Sequence, residues 1–117
     1  MDDSILREKS FKFALRTIKL SQYLQNTHKE YILSKQILRS GTSIGALIRE
    51  AQYAQSKADF LHKLTISLKE ANETEYWVLL LFESNYIDEK MFNSIYPEIK
   101  ELLKLLISST KTIKASR

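Results

Sequence analysis

With 117 residues, the chain can bury one core of its own and is too short for two ordinary ones, so a single domain over 1–117 is expected. Two glycines, one proline and 44% hydrophobic residues disfavour hairpins, long loops and disorder, and the lack of cysteine excludes disulfides and thiolate chemistry. The net charge of +4 is uneven: residues 4–29 carry six basic and one acidic group, 30–99 seven and ten, 100–117 five and one, and such asymmetry hints at a polyanion partner.

Periodicity predicts a first helix over about 4–26, with Ile5, Phe13, Ala14, Thr17, Ser21 and Leu24 turned inward. On the same helix Lys9, Lys12, Arg16 and Lys19 repeat at steps of three, four and three, a continuous basic stripe. A polar turn, NTHKE, ends at Glu30. The second helix, about 32–53, places Leu33, Ile37, Ser40, Ile44, Leu47, Ala51 and Ala54 at heptad-like steps. Gly41 and Gly45 lie one turn apart within it, a small-residue face suited to close packing inside the bundle or against another subunit.

Ser56 is the expected N-cap of a third helix, about 57–84, with Asp59 three positions on resembling a capping box. Leu61, Leu64, Leu68, Ala71, Glu75, Val78 and Phe82 form its seam, which puts an acid among apolar residues. A buried carboxylate needs a partner. Folding back at the second turn brings Arg39 level with the stretch around Asn72, so an Arg39–Glu73/Glu75 ion cluster is expected, with Glu70 facing solvent.

Asn85 and Tyr86 form the next turn and Asp88 caps a fourth helix, about 88–113, on Phe92, Ile95, Ile99, Leu102, Leu106 and Ile113. Pro97 within it should kink it or divide it. Short connections force antiparallel neighbours. The predicted fold is an all-α, up-down-up-down four-helix bundle.

Two segments, RS-x-x-SIG-x-x-x-x-E from Arg39 to Glu50 and KE-A-x-ETEYW from Lys69 to Trp77, resemble the four-helix proteins encoded in intervening sequences of 23S ribosomal RNA genes. The same family includes the accessory variability determinant of diversity-generating retroelements. The resemblance implies a ring-shaped homopentamer, no known catalysis, and nucleic-acid binding in the retroelement branch. Leu47 and Ala51 depart from the Asn and Gly common in that pattern, which puts in doubt any polar contact made by the Asn.

The residues themselves point away from enzyme chemistry. His28 falls in a predicted turn, and the lone Asp59-x-x-His62 is half of what a di-iron bundle requires. Glu70, Glu73 and Glu75 have no phosphate-binding glycine loop or nucleophile beside them. No catalytic residue, metal or cofactor is therefore expected. Trp77 and the five phenylalanines read as core or subunit contacts before base-stacking platforms.

In the predicted topology both termini and the second turn share one end of the bundle. That end gathers Lys57, Lys111, Lys114 and Arg117 with the Lys9–Lys19 stripe, against Glu30, Glu83, Asp88 and Glu89 at the other. A solvated face with cations at a helix C-terminus would give the same pattern. The expected function is homo-oligomeric, low-specificity binding of RNA or another nucleic acid. The competing expectation is a scaffold recruiting a partner protein, with the basic face incidental. The N-terminus lacks a signal-peptide core and Val78 to Phe82 is too short an apolar run to span a bilayer, so a cytoplasmic protein without a membrane partner is expected.

Overall fold

Residues 3–116 are described by a computed structural model in which four helices follow one another: α1 (Asp3–His28), α2 (Leu33–Ala51), α3 (Lys57–Glu83) and α4 (Glu89–Ala115). The connections 29–32, 52–56 and 84–88 are too short to cross the bundle, so neighbours run antiparallel. Each helix packs on the next; α1 and α4 close the rod but touch least. The rod measures 47 × 21 × 19 Å.

Helix ends follow local chemistry. The Ser56 hydroxyl accepts from the Asp59 N–H at 3.0 Å, and Asp59 Oδ2 accepts from the Gln55 N–H. Asp88 accepts from the Met91 N–H at 2.8 Å. At the end of α3, Asn85 adopts a positive φ of 68°, and the N–H groups of Asn85 and Tyr86 return to the Phe82 and Leu81 carbonyls. That is the αL stop in which Asn is tolerated.

The core contains Leu6, Phe13, Leu24, Ile37, Ile44, Leu64, Val78, Leu81, Ile99, Leu102 and Leu106. It differs from the predicted faces by a rotation of two helices. In α1 Leu6 and Leu20 are buried while Ile5 is exposed. In α3 Ser67, Thr74 and Leu81 line the buried face at positions assigned from sequence to Leu68, Glu75 and Phe82. The cause is a set of buried hydroxyl residues, which apolar counting treats as surface. Ser67 donates to the Ile44 carbonyl at 2.9 Å, and the Thr74 and Ser40 hydroxyls stand 2.9 Å apart. No buried side-chain polar atom among the described residues lacks a partner.

Small side chains bring α1 and α2 together. A Cβ at Gly41 would lie 2.4 Å from Thr17 Cγ2, and one at Gly45 would lie 3.2 Å from Ser10 Oγ. Both glycines thus serve packing within one chain. α4 continues unbroken through Pro97, so the expected division of the helix does not occur. The missing N–H deprives the Asn93 carbonyl of its helical donor, and one residue on, the Ser94 carbonyl accepts from Arg16 at 2.9 Å.

Candidate nucleic-acid interface

The basic stripe of α1 lies against α4, and most of it is ion-paired. Lys9 meets Glu101 at 3.1 Å and Lys12 meets Glu8 one turn back at 2.9 Å. Arg16 engages Glu98 and also donates to the Ser94 hydroxyl at 2.8 Å. Lys12 holds the exposed Glu8 carboxyl below its usual range, first by hydrogen bonding and then by charge. Lys19 alone in the stripe has no carboxylate partner among the described residues, and it borders a groove between α1 and α4. The continuous cationic stripe expected from sequence is thus largely neutralised, because Glu98 and Glu101 repeat on α4 at a matching step.

The terminal end of the bundle is different. Lys111 and Lys114 are exposed, with no carboxylate partner among the described residues. Lys57 donates to the Ser116 carbonyl at 2.8 Å, tying the start of α3 to the end of α4. Arg117 lies outside the described residues. Two cations missed in the sequence reading join this end: Arg7 and Arg49 both line the crevice between α1 and α2, floored by Gly45 and Ala46. The antiparallel count that sets Gly45 on Ser10 puts Arg49 level with Arg7 one turn further, a signal already present in the glycine spacing. Described acids near this end are engaged: Glu8 by Lys12, Glu50 by Lys63, and Asp59 in its cap. Arg49 and Lys114 also occupy last turns, where the helix dipole favours positive charge.

The acidic groups of α3 separate into two clusters. Arg39 pairs with Glu73 and, at 3.2 Å, with Glu70. Glu73 also accepts from Trp77 Nε1 at 2.9 Å. The Trp77 hydrogen bond, with Arg39 beside it, holds the Glu73 carboxyl below its usual range, and Glu73 in turn raises Arg39. Glu75 belongs elsewhere. It faces α4, accepting from the Tyr96 hydroxyl at 2.9 Å and pairing with Lys100 at 3.1 Å. This bond raises the Tyr96 phenol and Lys100 above their ordinary values.

Two expectations are therefore corrected. Glu70, not Glu75, shares Arg39 with Glu73, since Thr74 holds the buried position and rotates Glu75 toward α4. The Arg39 side chain is 51% exposed, so its pairs are surface ion pairs, worth roughly 0–1 kcal/mol and not the several expected of a buried cluster.

Aromatic rings are mostly engaged. Phe82, Phe92 and Tyr96 stack with centroids 4.2 and 4.7 Å apart, and His28 stands edge-on between Tyr23 and Tyr86. Tyr53, in the α2–α3 connection, is 83% exposed at the terminal end. Among the described residues no group of three His, Cys, Asp or Glu could hold a metal ion, and no helix is long and apolar enough to cross a membrane.

Fold and surface define a helical bundle whose polar groups form ion pairs, caps and one basic end. The chain belongs to the 23S rRNA-intervening sequence protein family, whose model matches residues 2–108. It is similar to a crystallised protein of unknown function from the S23 ribosomal protein family of Bacteroides thetaiotaomicron. The two are 55% identical over 95% of this chain and 99% of that one, with a TM-score of 0.92. No functionally curated protein matches.

Proposed function

We propose that this protein is a non-enzymatic, cytoplasmic homo-oligomer that binds RNA through the terminal end of its bundle, with low sequence specificity. One observation carries the reading: Arg7, Arg49, Lys111 and Lys114 gather at that end with no carboxylate partner among the described residues. Lys57 belongs to the same end by position, and Tyr53 offers an exposed ring for a base. Lys9, Lys12 and Arg16 contribute only by exchanging a carboxylate for a phosphate, which surface pairs allow at small cost. Family membership supports an association with ribosomal RNA.

Self-association has its own support. Phe11, Leu15 and Ile18 form an exposed apolar stripe on α1, and Tyr76 and Leu79 are exposed on α3. The helix order places these on opposite sides of the bundle. Two different patches on opposite sides suit head-to-tail contacts, which close into a ring where the rotation allows; a pentamer is the ring size that the sequence resemblance implies. Five basic ends would then form one cationic face. Light scattering at micromolar concentration should give a multiple of 13.7 kDa, and Leu15→Asp should reduce it to the monomer mass. A wild-type monomer would remove the ring.

RNA titration at several salt concentrations tests the binding itself. Changing Arg7, Arg49, Lys111 and Lys114 to Gln should weaken binding alike for unrelated sequences. Each lost phosphate contact should make the log–log salt slope shallower by roughly 0.7–0.9. The Lys9, Lys12 and Arg16 to Gln variant should change both less. Unchanged affinity and slope in the first variant would sink the RNA reading. The scaffold for a partner protein, which the pairing of the α1 stripe favours as second reading, would replace it.

A further inference from the structure

The crevice between α1 and α2 encloses about 250 Å³ beside the terminal end of the bundle. Its floor is made of small groups, because Ser10, Ala14, Gly45 and Ala46 meet there where the two helices approach closely. Arg7 and Arg49 rise from the facing helices, both exposed and without a carboxylate partner among the described residues. No described acid lines the crevice, and their chain neighbours Glu8 and Glu50 are held by Lys12 and Lys63. Two like charges that face each other without a counter-charge repel, and an anion between them relieves that repulsion. Phe11, one turn from Arg7, stands at the rim with 58% of its surface exposed. Leu15 and Ile18, the rest of the α1 apolar stripe, do not line the crevice.

We infer that this crevice holds one unpaired nucleotide of a single-stranded RNA, its base stacked on Phe11 and its phosphate held between Arg7 and Arg49. The inference rests on the RNA reading above and assigns that reading a strand type. A guanidinium offers a phosphate two parallel N–H groups, a geometry that a lysine does not match. The phenyl face accepts any base, so low sequence specificity is retained. A duplex keeps its bases stacked on one another and has none free for the phenyl group. The enclosed volume falls below the usual range for drug-sized ligands, which limits the occupant to a single nucleoside unit. An acidic peptide would satisfy the arginines, but a carboxylate side chain brings no planar group to Phe11. The small-residue floor leaves room for a flat base beside that ring.

The test titrates the full chain into a short fluorescein-labelled oligouridine and into an RNA duplex of equal length, read by anisotropy at several salt concentrations. The single strand should bind more tightly than the duplex. Phe11→Leu, which keeps an apolar side chain, should weaken the single strand about tenfold, within the range of one lost base stack. Its salt slope and its duplex affinity should not change, since no phosphate contact is lost. Phe11→Trp should retain the wild-type affinity, and both variants should keep the wild-type mass in light scattering. Arg7→Gln with Arg49→Gln should instead make the slope for the single strand shallower. Binding of neither RNA would overturn this inference together with the wider RNA reading. Binding of RNA with no preference for the single strand, or with no loss in Phe11→Leu, would overturn this inference alone. So would a lower mass for Phe11→Leu, which would make the phenyl group a subunit contact. Displacement of the labelled strand by oligoglutamate as effectively as by unlabelled oligouridine would overturn it in favour of an acidic peptide.

Discussion

Gly41 and Gly45 share one face of α2, yet a methyl group at each meets a different obstacle. At Gly41 it meets the β-branched, buried Thr17 at 2.4 and 2.9 Å, and that side chain has no room to yield. Gly41→Ala should therefore destabilise by about 1–3 kcal/mol in chemical denaturation, even after the helix gains about 1 kcal/mol from alanine. At Gly45 the nearest atom is the Ser10 hydroxyl at 3.2 Å, and the two effects come close to cancelling. Equal losses at the two sites would show that the α1–α2 separation is wrong. Glu73 offers a spectroscopic test, because its partner Trp77 is the sole tryptophan. Its folded pKa is depressed, so the contact contributes stability above the unfolded value of about 4.3 and loses it as pH falls through the lower folded value. Trp77 emission should titrate with a midpoint below that value while helicity is retained, and Glu73→Gln should abolish the transition. A midpoint at or above it would mean that the Trp77 hydrogen bond does not hold in solution.

At the level of the helix, Pro97 sets up a separable question. It occupies an exposed interior position of α4, where it removes one backbone donor. Pro97→Ala should raise stability by on the order of 1–3 kcal/mol if the neighbouring Arg16–Ser94 bond persists. A decrease would show that the proline shapes α4 for its contact with α1. Helix number, order and caps were legible in the sequence, because Ser56, Asp59 and Asp88 are strong local signals and the connections are short. Helix rotation was less so. Ser10, Ser67, Thr74 and Ser109 are buried, and hydroxyls that hydrogen-bond inside a seam carry no hydropathy signal. Missing Thr74 put Glu75 in the core and gave Arg39 the wrong second acid. The pairing of the basic stripe was hidden for a related reason: the matching acids, Glu98 and Glu101, lie on a helix far away in sequence, beyond any local count. Arg7 and Arg49 required the α1–α2 register, which only the glycine contacts fix.

On the scale of the whole molecule, the apolar stripe of α1 adjoins the basic end, since Phe11 lines the same crevice as Arg7 and Arg49, so the proposed ring and the proposed RNA binding are coupled. Leu15→Asp should dissociate the ring and weaken RNA binding by lost multivalency, without changing the slope per protomer. The sparse contact between α1 and α4 also bears on the order of assembly. Every extensive interface joins helices adjacent in sequence, so the bundle has local topology and a low entropic barrier to forming its hairpins. Closing the first helix on the last brings together the most distant parts of the chain, and the polar links Lys9–Glu101 and Arg16–Glu98 help secure it. Native-state hydrogen exchange should find an opening of this seam that leaves the α2–α3 pair protected. Uniform protection across all four helices would mean that the bundle opens only as a unit. An opened seam would expose Leu20 and Ile95, so crowded synthesis of the protein carries a risk of exchanging α4 between copies.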